Sequence, residues 1–431
     1  MAKHLRQLYN LTLAAGHVPS RWKQAVISPL PREGKDLSQP GSYRPISLLP
    51  TIAKLLEAIL ARRLYAIAEK KRIIPDYQSG FRSNRSTNDQ LFRLAESIAR
   101  GLASREATVA TFLDFRGAFN NVWHDALRYK LANSPIPTCM TRWISSFLEG
   151  RLFCVRVGQE TSAMKNARCG VPQGSCLSPL LFIIFTADMF SQSDKVDRPA
   201  VGAYADDVMV MATDKNPDAA ARLVQLALRQ AEWWSGAWRL PMQPNKCAVM
   251  VFSRRYTAPK VSLYLDGAPL QIVDQTTYLG VTFDRKFNFR KHFEAVRKAV
   301  EKRINGLRRI CGRDLGFSSE AALQIYKTMI RSVMEYGSKA WVSRLLNKTD
   351  TTYLQTLQNR CLRTALRLPI DTPIMELHRR AMIPLFKSRL ANICQRFITR
   401  AGDQVDGVRR LLQSYRHSPR PYHGLLQLIL G

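Results

Sequence analysis

Acidic residues are in short supply in this sequence. Only 33 Asp and Glu stand against 65 Lys and Arg in 431 residues, for a net charge of +32. Such a field argues against a cationic partner and favours a polyanion, with nucleic acid first and an anionic membrane surface second. Long hydrophobic runs are missing too. The longest, "PLLFIIFTADMF" at 179–190, falls well short of the ~20 residues that span a bilayer. The N-terminus carries basic residues without the unbroken apolar stretch of a secretory signal. No two cysteines have C-x-x-C spacing, so zinc-ligand patterns are absent. The eight cysteines read as reduced, mostly buried thiols of an intracellular protein. Internal repeats and low-complexity tracts are absent as well. A chain this long implies two to three domains.

What is present is alternation. Pro and Gly punctuate the first third, around a helix expected from about Thr51, in which Ile52, Leu55, Leu56, Ile59, Leu60 and Leu64 recur at helical spacing. "STNDQLFRLAESIARGL" opens with a Ser/Thr cap and continues as an amphipathic helix. In the middle third, "ATVATFLDF", "LFCVRVG" and "KCAVMVFSR" read as strands, "PLLFIIFTADMF" as a buried helix, and "AVGAYADDVMVMAT" as two short strands meeting at a pair of aspartates. The final third is helical in pattern. This order predicts an α+β fold, with an antiparallel sheet covered by helices on one face.

The aspartate pair carries the chemistry. Asp206 and Asp207 interrupt an apolar run, where two adjacent carboxylates repel each other and lose hydration. An Asp-tipped hairpin is commonly structural, but apolar flanks point to a turn held by a buried sheet, and a bound cation best accounts for charge there. Asp114 ends the strand "ATFLDF" in a similar setting. Three carboxylates can hold two Mg²⁺ ions for in-line phosphoryl transfer, one activating the attacking hydroxyl and one stabilising the leaving pyrophosphate.

"LDFRGAFNNV", "GVPQGSCLSPLLF", "AYADDVMV", "QPNKC" and "YLGVTFD" follow one another in the order of reverse transcriptase motifs A to E, and "YRPISLL" and "QSGFRSNRSTNDQL" resemble the fingers motifs of non-LTR retrotransposon polymerases. The chain is similar to the jockey-like (LINE-type) arthropod elements over about residues 5–345. The resemblance implies a right-hand polymerase: an N-terminal extension at 1–19, fingers at 20–105, palm at 106–283, thumb at 284–345 and a basic helical C-terminal extension at 346–431. It implies Asp114, Asp206 and Asp207 as metal ligands for two Mg²⁺, with Mn²⁺ as an alternative, and the Phe115 carbonyl as a further ligand. Phe119 falls at the aromatic gate that rejects a ribose 2′-OH. Gln173 and Gly174 fall in the nucleotide-contacting motif B turn, and Lys246 at the motif D lysine that protonates pyrophosphate. In the fingers, Arg44 is the expected triphosphate ligand, with Arg32 and Lys35 beside it in the same loop and Lys35 as helper; Arg82 is a template or nucleotide contact. Tyr278, Leu279 and Gly280 fall in the primer grip. Asn120 departs from the family, many of whose members carry Asp there.

The implied partners are an RNA template, a DNA primer and dNTPs, with no membrane. No endonuclease, RNase H or zinc-knuckle segment is recognisable, so the chain reads as a polymerase piece of a longer element protein or a truncated copy, its nuclease separate or missing. The implied localisation is nuclear, with a cytoplasmic ribonucleoprotein stage. Three rivals remain. An RNA-dependent RNA polymerase shares the three-Asp site, but Phe119 and "PQGSCLSP" argue against it. A group II intron-type enzyme would carry a different tail. A decayed or domesticated copy that only binds nucleic acid fits the charge, but retains all three aspartates. From Arg285 to Arg313 eleven Lys and Arg face two Glu, while Phe293, Val296, Val300, Ile304, Leu307 and Cys311 form one apolar face; the opposite face suits a phosphate backbone. The tail "GVRRLLQSYRHSPRPYHG" is also basic, and His378, His417 and His423 form no defensible metal cluster with Cys394.

Overall fold

The computed structural model describes residues 2–190, 199–257, 259–311, 316–342, 348–402 and 408–409. His417, His423 and most of the basic tail lie outside them.

Two five-stranded sheets organise the chain. The first joins Tyr43–Leu48, Gln24–Pro31, Leu152–Val157 and Glu160–Thr161 in that order, with Lys165–Asn166 also pairing with Leu152–Val157. Its leading hairpin pairs Pro29 with Pro45 and Leu30 with Arg44. Sequence reading takes this stretch as a loop. Prolines cannot donate to a ladder and mask the strand signal, yet they are tolerated in an edge hairpin. Leu152–Val157 lies within the stretch expected for the palm, but it pairs in parallel with Gln24–Pro31 in this sheet.

The second sheet runs Gln271–Ile272, Ala248–Phe252, Ala107–Leu113, Asp207–Asp214, Ala200–Tyr204. Its four longer strands are antiparallel neighbours. The expectation of one covered face is corrected here: both faces are buried. Val109, Val208, Val210 and Val251 belong to a core with the helix Pro217–Trp238 and the buried helix Ser178–Phe185. Ala110, Met209, Met211 and Met250 belong to a second core with the helix Thr87–Ala103. The reason is legible afterwards: "VMVMA" is continuously apolar, the pattern of a strand buried on both sides rather than one that alternates.

The helix Thr51–Lys70 buries Leu56, Leu60 and Leu64 and leaves Ile52, Leu55 and Ile59 exposed, so only half of its expected apolar face is core. Thr87–Ala103 starts with a full capping box, Ser86 with Asp89. After the hairpin Gln275–Tyr278/Val281–Asp284, the helix Arg290–Ile310 buries Val296, Val300, Ile304 and Leu307, the face read from the sequence, and keeps Arg297, Lys298, Lys302 and Arg303 in solvent. The helices Lys348–Leu366, Ile374–Ala381 and Phe386–Ala401 complete the same core. The last of them returns to the helix Thr87–Ala103. Arg400 pairs with the capping Asp89, and Phe397 packs on Phe92 with ring centroids 5.4 Å apart. All eight cysteines are unpaired; five are buried, and Cys139, Cys169 and Cys176 are exposed. Among the described residues no helix is long and apolar enough to cross a membrane.

Candidate active site

Register brings the three aspartates together. Leu113, one residue before Asp114, pairs with Val208, one residue after Asp207. The ends of two adjacent strands therefore present the acids at the same edge of the second sheet. Asp114, Asp206 and Asp207 all line one cavity of about 1240 Å³. Its opposite wall comes from the first sheet, including Arg32, Arg44 and Phe153, and Phe119, Gln173 and Lys246 line it as well.

The electrostatics are those of an uncompensated acid cluster. The Asp207 carboxyl is pushed up to about 6 by burial, then by repulsion from Asp206 and Asp114. Asp206 is also raised, chiefly by burial, with Asp114 raising it further while Arg32 and Arg44 pull it down. Both residues nonetheless keep an exposed face. Among the described residues no three acidic, His or Cys side chains converge tightly enough to hold an ion unaided. The donor set nonetheless fits a hard divalent cation, which needs only one or two carboxylates plus substrate phosphates. Charge of that sign would relieve the repulsion that raises Asp207.

Each acid is held through its backbone. Asp114 N–H donates to Cys247 Sγ at 3.4 Å, and its carbonyl accepts from Gln243 N–H at 2.8 Å. Burial pushes the Cys247 thiol up to about 11, so it stays protonated and inert. Asp206 follows Ala205, which has a left-handed backbone (φ +58°) in the tight turn between Tyr204 and Asp207.

The nucleotide residues divide. Phe119 stacks on Phe182 at 4.5 Å and meets Phe81 edge-on at 6.2 Å, so it is both cavity wall and partly core. Phe115 is buried and lines the cavity. Gln173 donates through Nε2 to Asn120 Oδ1 at 3.0 Å, and its carbonyl accepts from Ser47 N–H at 2.6 Å. The residue that departs from the family thus touches the motif B glutamine. At Gly174 (φ +127°) a Cβ would lie 2.4 Å from the Ser47 carbonyl oxygen, so only glycine fits. Arg44 and Lys246 reach the cavity; Lys35 does not line it, and Arg32 takes the place expected of Lys35.

Two expectations find other employment. Arg82 is held away from the cavity in a bidentate pair with Glu69, 2.7 Å at each contact, and donates to the Pro75 and Gln78 carbonyls. Tyr278 turns inward against Phe112, its ring buried and its hydroxyl unpartnered, so its side chain offers nothing to a primer. Leu279 and Gly280, both at positive φ, form the exposed turn, and Tyr336 donates to the Leu279 carbonyl at 2.8 Å.

Sequence reading passes over Glu57 and Gln78. Glu57 is buried and accepts from Ser175 Oγ at 2.5 Å and Cys176 N–H at 3.1 Å, anchoring the motif B turn. The available signal is its place beside Leu56 and Leu60 on the buried face of an amphipathic helix.

An antiparallel sheet with three acids at one edge, sharing a wide cavity with cations on and beside the first sheet, defines a right-hand polymerase. The family model described as "Reverse transcriptase (RNA-dependent DNA polymerase)" matches residues 31–283. The chain belongs to the reverse transcriptase family, whose members normally work with a divalent metal ion. It is 32% identical over 403 residues to the probable RNA-directed DNA polymerase from transposon BS of Drosophila melanogaster, covering 92% of this chain and 44% of that protein. It is 30% identical over 413 residues to the RNA-directed DNA polymerase from mobile element jockey of the same species, covering 95% and 44%. The chain spans less than half the length of these curated relatives. A solved telomerase from Candida tropicalis, in complex with a telomeric RNA fragment, is similar at a TM-score of 0.46 and 11% identity, covering 99% of this chain and 64% of that one.

Proposed function

We propose that the chain is the RNA-directed DNA polymerase of a non-LTR retrotransposon, extending a DNA primer on an RNA template with dNTPs. The observation that carries this reading is the single cavity shared by Asp114, Asp206 and Asp207 on one side and Arg32 and Arg44 on the other. Two Mg²⁺ ions on the aspartates, with Mn²⁺ as an alternative, would supply activation of the primer 3′-hydroxyl and neutralisation of the departing pyrophosphate. The protein's own part is positioning. Arg44 and Arg32 bind the triphosphate, with the fork geometry of a guanidinium suited to phosphate oxygens. Phe119 leaves no room for a 2′-hydroxyl. Gln173 meets the incoming nucleotide at the templating pair, and Lys246 donates a proton to pyrophosphate. The exposed cations of Arg290–Ile310 track the hybrid backbone without reading sequence.

The remainder of a protein as long as its relatives would bring the endonuclease that nicks the target. Action at chromosomal DNA places the chain in the nucleus, after a cytoplasmic ribonucleoprotein stage; imaging a tagged chain during element expression tests that placement. The central test is primer extension on poly(rA)/oligo(dT) with Mg²⁺, offering dTTP or UTP. Extension with dTTP alone, lost in Asp206→Asn, supports the reading. Preference for UTP moves the chain to the RNA polymerases. Binding of the hybrid without extension makes it a decayed copy.

A further inference from the structure

The turn that carries Asp206 is strained. It is a two-residue connection, and its first residue, Ala205, sits at φ +58°. That position favours glycine, because in the left-handed region the Cβ of an L residue crowds the following carbonyl oxygen. Ala205 is also buried, so its N–H and C=O need partners from the protein.

One side chain from the fingers segment supplies both. Gln78, 3% exposed, accepts from Ala205 N–H through Oε1 at 2.9 Å and donates through Nε2 to the Ala205 carbonyl at 3.1 Å. Its amide thus pairs with Ala205 as a neighbouring peptide unit would. Gly80 N–H donates to the same Oε1 at 2.8 Å, which fixes the amide's orientation. Gly80 must be glycine: a Cβ there would lie 2.2 Å from Ala205 N. The surrounding backbone is laced to the adjacent strand, Ala203 N–H to the Tyr77 carbonyl and Ser79 N–H to the Ala203 carbonyl, each 2.8 Å. Behind it, Gln90 donates to the Tyr77 carbonyl and to Ser79 Oγ. The Arg82–Glu69 pair lies a layer further out, with Arg82 donating to the Gln78 carbonyl at 3.0 Å.

We propose that Gln78 is a positioning residue for the metal-binding turn: its amide holds Ala205 in the left-handed conformation and thereby sets where the Asp206 carboxylate stands. The inference rests on the reading of Asp206 as a metal ligand. Arg82, Glu69, Gln90 and Gly80 are the frame of this clamp, which gives the "QSGFR" segment a task inside the catalytic end of the sheet rather than at the template.

The experiment compares wild type with Gln78→Leu, of similar volume and without the side-chain hydrogen bonds, and Gln78→Glu, which keeps the acceptors and loses the donor to Ala205. Two quantities are read: the extension rate at saturating dTTP, and the Mn²⁺ midpoint for retaining dTTP on a dideoxy-terminated primer, a binding measurement in which no bond forms. Outer-layer partners of metal ligands typically matter 10- to 100-fold. The expected result is a fall in rate and a rise in Mn²⁺ midpoint of that order, with hybrid affinity within about twofold of wild type. Ala205→Gly, which removes the conformational penalty, should restore part of the loss in Gln78→Glu. If both variants fold and match wild type in rate and Mn²⁺ midpoint, the proposal is overturned. It is also overturned if they lose only melting temperature, or if Ala205→Gly restores nothing. If Gln78→Leu does not fold, Gln78→Glu and its pairing with Ala205→Gly decide. The polymerase reading fails separately, by wild type failing to extend; a wild type whose dTTP retention ignores Mn²⁺ ends both.

Discussion

Two places in this molecule set charge among apolar neighbours, and they partner it differently. Lys130 is surrounded. Its ammonium pairs with Asp188, donates to the Phe185 carbonyl at 2.7 Å, and lies 4.1–4.7 Å from the rings of Phe185, Trp234 and Trp238. Burial lowers its pKa to about 8 despite the carboxylate that supports the charge. At the other place burial raises both Asp206 and Asp207; Asp206 and Asp114 push Asp207 further up and Asp114 does the same to Asp206, while a backbone hydrogen bond, Arg32 and Arg44 pull Asp206 down. The first arrangement finds its partners within the chain. The second is left short of positive charge, and that shortfall is what a metal–triphosphate complex would fill.

The comparison is most directly broken at the acids. Asp206→Asn and Asp114→Asn should each lower primer extension by roughly 10³-fold or more, since a two-metal site supplies several kcal/mol of transition-state stabilisation. Neither should lower the melting temperature without divalent ion. A variant that melts early and extends normally would make the cluster structural.

Lys130→Ala should behave in reverse. It takes the cation from Asp188, which keeps the Trp234 Nε1–H donor at 2.8 Å, and removes a donor from the Phe185 carbonyl, at a cost of about 2 kcal/mol given that Asp188 is half exposed. Chemical denaturation reads the loss; extension per folded molecule should hold. A fall in specific activity at unchanged stability would contradict the assignment.

Phe119 stands between the two regimes, stacked on Phe182 yet lining the cavity. Phe119→Val should raise ribonucleotide use relative to dNTPs about tenfold, about 1.4 kcal/mol of discrimination. Equal selectivity in single-turnover competition would leave the ring a core residue only.

The smallest effect is in pH. The folded Asp207 titrates near 6 against an ordinary 3.8. The folded state therefore holds that proton more tightly, and its contribution to stability is lost as pH rises from 3.8 through 6. The folded Lys130 titrates near 8 against 10.5. There the unfolded state binds the proton more tightly, so this contribution rises between pH 8 and 10.5. Thermal melts without divalent ion should show the acid-side slope flattened in Asp207→Asn and the alkaline-side slope flattened in Lys130→Ala; a parallel series with Mg²⁺ should flatten the acid-side slope of wild type. A slope shared by all three proteins would remove the distinction.

Much of this was legible beforehand for a physical reason: strong local signals. The capped helix at Ser86, the buried helix at Ser178–Phe185, the two strands around Asp206 and Asp207, and the apolar face of Arg290–Ile310 each follow from periodicity or capping chemistry that a short window contains. The proline-bearing hairpin of the first sheet was hidden because its prolines read as loop. The partner of Arg82 is not legible, because a spaced cation looks the same in sequence whether it faces a phosphate or Glu69. The inward turn of Tyr278 is not legible, because its motif places a turn and only packing decides which side chains of a turn face in. Lys35 and Arg32 share one loop, and the fold chose between them.

The sequence by itself determined which residue types are available and where the elements run: three aspartates at strand ends, an aromatic five residues after the first of them, a motif B glycine and a surplus of 32 positive charges. These are local or additive properties, and they survive without knowing any contact. Only the tertiary structure decided that Leu113 pairs with Val208, that Arg32 faces Asp206, that Glu57 anchors Ser175, and that an amide at position 78 takes both backbone groups of residue 205. Those are pairings between residues about 90 to 175 positions apart in most cases. Register, burial and the satisfaction of buried polar groups fix them, and these exist only once the chain has closed on itself.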